Sequence, residues 1–219
     1  IDFANTVANV NNGSFDGSGL AQLPSTGQLD SNTFSFDGFS DGDTDFDADY
    51  TSGDYARGQT TGGVSSGGLY AFDLGAGNTA LGIQPTGSDF TPGTVYFKFR
   101  NDTGETVTDI SIAYDAYFLN NEDRTNSLVL AHGPSKTNLT SVTDSFIETG
   151  IGQDAVEEWE RNFVTADITG LSILDGETYL IAWESNDSGS GSSDELAIDN
   201  IQLVVNPTSE SPRLFGDVN

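Results

Sequence analysis

Seven aspartates crowd one stretch, FDGFSDGDTDFDADYTSGD: Asp37, Asp41, Asp43, Asp45, Asp47, Asp49 and Asp54. Carboxylates spaced among glycines are the hard oxygen ligands of calcium, which takes roughly six to eight of them. Asp41, Asp43 and Asp45 have the D-x-D-x-D spacing of a calcium loop. No bidentate Glu follows at its twelfth position, so the pattern is not an EF-hand. A solvated acidic loop is the plainer alternative. A second cluster, NDSGSGSSDELAIDN, holds Asp187, Asp194, Glu195 and Asp199. Asp199 interrupts an apolar run, and a carboxylate there needs a partner, because burying it alone is costly. Calcium, a bulge at a sheet edge, or one of Arg100, Arg124 and Arg161 would serve. The expectation is structural calcium, with Asp41, Asp43, Asp45, Asp187, Asp194 and Asp199 as its ligands.

Catalytic chemistry finds little material. His132 is the single histidine and there is no cysteine. A serine triad would have to use His132, yet no G-x-S-x-G elbow is present. A zinc site with several histidines is excluded. Paired carboxylates for a glycoside hydrolase or lyase stay open, with Glu157, Glu158 and Glu160 around Trp159 as an example. Sugar binding needs a flat aromatic with hydrogen-bonding groups beside it. Tyr96, Lys98 and Arg100, next to Asp115 and Tyr117, make such a face if the two strands carrying them pair. Cover by loops or by a second sheet is the alternative.

The elements that must position these residues are strands. TVYFKFRN alternates Val95, Phe97 and Phe99 with Tyr96, Lys98 and Arg100. TDISIAYDAYFL, NSLVLAH, ADITGLSIL, ETYLIAWES and ELAIDNIQLVV follow, separated by turns such as Asn101–Gly104 and Asp175-Gly176. Period-two alternation means one buried and one solvated face, the antiparallel pattern. The segment Gln153–Phe163 carries Val156, Trp159 and Phe163 at helical spacing and is a candidate helix or a single turn. His132 reads as a strand end before a Gly133-Pro134 turn. The first 93 residues are Gly/Ser/Asp/Thr-rich, with edge strands expected at Thr33–Phe39 and Gly68–Leu74. The fold class is all-β: an antiparallel, jelly-roll-like sandwich with long Gly/Asp-rich loops, one domain over 1–205. Residues 206–219 read as a Pro/Ser linker.

Thirty-four acidic residues face seven basic ones, a formal net charge of −27 over 219 residues. Such a chain repels nucleic acid and anionic membrane surfaces. No apolar run approaches the roughly 20 residues that span a bilayer. Without cysteine, stability comes from the core, where fourteen Phe and seven Tyr supply large buried areas. A secreted, disulfide-free chain points to an extracellular or cell-surface protein of bacterial origin.

The stretch from SGDYARGQTTGG to TDISIAYD, with NNEDRTNS and SGSGSSDELAIDNIQL, resembles a β-sandwich module of large secreted proteins from marine and planctomycete-type bacteria. That resemblance covers most of residues 30 to 205 and implies fold and compartment more than activity. GDVN, Gly216–Asn219, resembles the opening of a dockerin-like calcium loop, with Asp217 and Asn219 as its first and third positions. It implies a chain cut from a larger protein. The function expected is a non-catalytic extracellular module that binds polysaccharide. The alternative is a structural surface protein, an adhesin or filament subunit, in which Ile1–Val10 or an open sheet edge pairs with a neighbouring subunit.

Overall fold

The computed structural model describes residues 1–150 and 152–207. GDVN and most of the tail lie outside the described residues. In chain order the strands are β1 (Leu20–Ala21), β2 (Leu29–Asp30), β3 (Phe34–Asp37), β4 (Gln59–Thr60), β5 (Gly68–Asp73), β6 (Thr79–Gln84) and β7 (Gly93–Arg100). They continue as β8 (Val107–Leu119), β9 (Thr125–Ser135), β10 (Asn138–Ser141), β11 (Ile147–Glu148), β12 (Trp159–Ile173), β13 (Thr178–Ser188) and β14 (Glu195–Val205). The only described helices are two 3-10 turns, Gly53–Tyr55 and Thr143–Ser145.

Two sheets face each other. Sheet I runs β10-β9-β13-β7-β3, with β11 also on β9; sheet II runs β12-β8-β14-β6-β5-β4. The strand ladders are antiparallel except for the two-residue ladders β1–β2 and β4–β5, and the isolated Arg124–Ser193 bridge is also parallel. The expected all-β sandwich is therefore the observed fold. Val95 and Phe97 of β7, Ile181 and Trp183 of β13, and Ile110, Ile112, Tyr114 and Phe118 of β8 all point into one core. Trp183 from sheet I meets Tyr114 from sheet II edge-on, centroids 5.5 Å apart at 80°. Each such buried large apolar side chain contributes roughly 1.5–3 kcal/mol.

The N-terminal segment belongs to this same core. Phe3 is fully buried against Phe15 and Phe34, at centroid separations of 6.5 and 5.9 Å. The Ile1 amine donates to the Ile201 carbonyl, and Ile201 N–H returns a 2.9 Å bond to Ile1 O. Ile1–Val10 is thus packed within its own domain.

Two local expectations are corrected. Gln153–Phe163 is not a helix: Trp159 opens β12, whose residues pair with β8 from Trp159↔Leu119 onward. Trp159, Arg161, Phe163 and Thr165 also alternate, and the long-range ladder decides between the two periods. His132 is not a strand end either, because β9 continues to Ser135. Pro134, which has no N–H to give, falls where the β9–β10 register shifts between Asn138 and Thr140. The ring nitrogen Nδ1 of His132 lies 2.9 Å from the Tyr179 hydroxyl.

Candidate functional site on the outer face of sheet II

β8 sends Ile110, Ile112, Tyr114, Ala116 and Phe118 into the core. Its other face therefore carries Ser111, Ala113, Asp115, Tyr117 and Leu119. The β12 register sets Trp159 opposite Leu119, Arg161 opposite Tyr117, Phe163 opposite Asp115 and Thr165 opposite Ala113. On the other side of β8, Ala197 stands opposite Tyr117 and Asp199 opposite Asp115. Three strands thus present one outward row of aromatic and polar groups.

The row has an open end and a covered end. At the open end Phe163 is 47% exposed, and the Arg161 guanidinium lies 5.7 Å from its ring centroid. Arg161 Nη2 pairs with Asp115 Oδ1 at 2.7 Å. Asn200 Nδ2 donates to Asp115 Oδ2 at 2.9 Å. A bulge places that amide: the β14 register slips between Asp199 and Gln202, and Asn200 takes φ 52°. Bulges re-aim side chains in this way, and Asn tolerates the left-handed region. Burial, and next the Asp115 charge, raise the Tyr117 hydroxyl above its ordinary pKa, so it stays a neutral donor.

At the covered end Tyr70 and Phe72 stack at 5.5 Å and 7°, and Phe72 meets Trp159 at 4.8 Å. Gly82 lets this stack lie on the sheet, since a Cβ there would come 2.0 Å from Phe72 Cδ2. The segment 61–66 crosses above. Trp159 Nε1 donates to Thr61 O at 2.9 Å, and Val64 N–H donates to Glu195 Oε1 at 2.8 Å. Burial pushes the Glu195 carboxyl up to about 7. Tyr70 and Phe72 are therefore foundation, and Trp159 stands half-buried at the boundary with the open end.

The five residues expected to bind ligand do not form one face. β7 lies in sheet I between β13 and β3, whereas β8 lies in sheet II between β12 and β14. The Asn101–Gly104 turn carries the chain across the sandwich, so Tyr96, Lys98 and Arg100 sit on the opposite outer surface from Asp115 and Tyr117. Tyr96 is only 5% exposed; its hydroxyl donates to Asp37 Oδ2 at 3.0 Å, and Lys136 Nζ stands 4.7 Å from its ring centroid. Lys98 covers Phe46 at 4.2 Å and pairs with Asp47 at 3.6 Å. Arg100 pairs with exposed Asp102 at 3.1 Å. Asp115 and Tyr117 do lie in the candidate site. Trp159, Arg161 and Phe163 join Asp115 and Tyr117 on this face and were not among the expected ligand-binding residues, though their own period-two spacing was the available signal. Glu157 and Glu158 precede β12 and Glu160 is its second residue, and all three are exposed.

The six aspartates expected to hold metal are also dispersed. Asp41 Oδ2 accepts from Asp54 N–H at 2.9 Å, and Asp43 Oδ1 caps Gly38 N–H at 2.8 Å. Asp45 is exposed, and its N–H donates to the Tyr50 hydroxyl at 2.8 Å. Asp187 pairs with Arg124 at 2.7 Å. Asp199 Oδ1 accepts from Phe3 N–H at 3.2 Å, and burial pushes its carboxyl up to about 6. Asp194 Oδ1 accepts from Glu122 N–H at 2.9 Å. Among the described residues, no three Asp, Glu, His or Cys side chains gather as a metal-binding group. Among them, too, no helix is long and apolar enough to cross a membrane.

No protein-family model matches this sequence, and comparison with curated proteins finds no match. Solved structures with a similar fold include carbohydrate-binding modules. A non-crystalline-cellulose-specific module, CBM28, aligns over 90% of this chain and 98% of its own, at 13% identity and TM-score 0.46. A CBM4 structure covers 65% of this chain and 91% of its own, at 20% identity and TM-score 0.36. The mannan-recognising module TmCBM27 covers 62% of this chain and 78% of its own, at 19% identity and TM-score 0.34.

Proposed function

We propose that this chain is a non-catalytic extracellular module that binds polysaccharide on the outer face of sheet II. The observation that carries this reading is the exposed group Phe163, Arg161 and Asn200 around the buried Asp115 carboxylate. A pyranose ring has apolar C–H faces and a rim of hydroxyls. Phe163 offers a half-exposed apolar surface, and the exposed Arg161 guanidinium and Asn200 amide, both held by the buried Asp115 carboxylate, offer polar groups beside it. Because Arg161 and Asp115 neutralise each other, the row favours neutral sugars, and the overall charge of −27 disfavours polyanionic ones. A panel of neutral polysaccharides in affinity electrophoresis tests the reading: retardation by at least one supports it, and free migration through all of them counts against it.

A second reading rests on β12. This strand has 15 residues and, among the described residues, pairs only with β8, so its other edge leaves backbone donors and acceptors open there. A surface protein that assembles by strand pairing would use that edge. Sedimentation of the concentrated protein tests it: a single monomeric species rules out assembly.

A further inference from the structure

Among the described residues, one end of the sandwich buries side-chain oxygens that have no donor. They are Asn120 Oδ1, Asn121 Oδ1, Asn126 Oδ1 and Asp194 Oδ2, on residues 5%, 7%, 1% and 0% exposed. Asn120 and Asn121 follow β8, Asn126 lies in β9, and Asp194 immediately precedes β14. Their backbones are interlocked. Asn126 Nδ2 donates to Asp194 O, and Asp194 Oδ1 accepts from Glu122 N–H at 2.9 Å. Thr149 exchanges two 2.9 Å bonds with Asn126, its Oγ1 accepting from Asn126 N–H and its N–H donating to Asn126 O.

The Asn126 amide cannot be turned around, because a flip would set its oxygen against the Asp194 carbonyl. Its Oδ1 is thus a true acceptor and, like Asp194 Oδ2, has no hydrogen-bond partner among the described residues. Buried acceptors of this kind are rare and costly. A water molecule donates two hydrogen bonds, too few for four oxygens. A hard cation is met by oxygens alone, from carboxylate, carboxamide and hydroxyl groups together.

We propose that Asn120, Asn121, Asn126 and Asp194 form a calcium site that fastens sheet I to sheet II at this end of the sandwich. The site uses one carboxylate and several carboxamides. It therefore differs from the carboxylate-rich ligand set expected from the sequence, of which it retains Asp194 alone. It is independent of glycan binding on the outer face of sheet II.

Calorimetric titration of CaCl2 into the EDTA-treated full chain tests this. Binding in the range of extracellular modules, roughly 10⁻⁴ to 10⁻³ M, is expected. Asp194→Asn and Asn126→Ala should each weaken it by roughly tenfold or more. Asp41→Asn should not change it. Calcium binding that survives both site variants, or no calcium binding at all, overturns the proposal. Should the variants fail to fold, a wild-type crystal grown with calcium decides. An anomalous peak among these four residues supports the site, and a peak elsewhere or water alone there overturns it.

Discussion

Arg161 and Asp115 form an ion pair across the β12–β8 ladder in which the two partners see different solvents. The Asp115 side chain is 2% exposed and the Arg161 side chain 56%. The buried carboxylate fixes a guanidinium that remains available outside, with the Asn200 amide holding the second carboxylate oxygen. Removing Arg161 leaves Asp115 buried with one partner. Arg161→Ala is expected to cost about 1–3 kcal/mol of stability, read as a shift in denaturant midpoint. Arg161→Lys should recover only part of this, since an ammonium lacks the planar fork. Equal midpoints for wild type and Arg161→Ala would show that the pair holds nothing in place.

Gly82 supports the site from below. An added Cβ must displace the Phe72 ring, which packs on Trp159. Gly82→Ala is expected to destabilise by about 1–3 kcal/mol and to shift Trp159 emission towards solvent-exposed wavelengths. Wild-type stability with unchanged emission would mean that the stack does not set the position of Trp159.

His132 gives a pH dependence with a definite sign. Burial lowers its pKa below the ordinary 6.5, and its Nδ1 lies 2.9 Å from the Tyr179 hydroxyl. As pH falls through 6.5, the unfolded chain takes up a proton that the folded chain resists. Stability from this group is full above 6.5 and is lost as pH falls towards the lowered folded value. Melting curves between about pH 8 and 5 should therefore fall less steeply for His132→Gln than for wild type. Parallel curves would exclude His132 as a contributor.

The sequence made the sandwich legible where strands alternate cleanly. β14 was readable end to end, and β7, β8 and β13 to within a few residues, because Val95/Phe97/Phe99 and Ile110/Ile112/Tyr114 mark a buried face by period two. β6 carried no such mark: TALGIQ is buried on both faces, and Gly82 breaks its pattern. β12 was hidden because Val156, Trp159 and Phe163 also fit a helix, and only its pairing with distant β8 resolves the ambiguity. The binding face failed for a related reason. Tyr96 and Tyr117 are close in sequence, and nothing local to their strands says that the turn between them crosses from one sheet to the other. The six expected metal ligands are dispersed because their spacing in sequence says nothing of which strands and loops bring them together, and the asparagines beside Asp194 carry no charge to flag them.

Phe163 tests the central account most directly, because an aromatic ring 47% exposed on an edge strand can be removed with little effect on folding. The measurement is the affinity of wild type and Phe163→Ala for whichever neutral polysaccharide retards the wild-type protein, with melting temperatures taken in parallel. The account predicts unchanged melting and a loss of affinity of about tenfold or more, equivalent to about 1.4 kcal/mol. Undiminished binding by Phe163→Ala would contradict it.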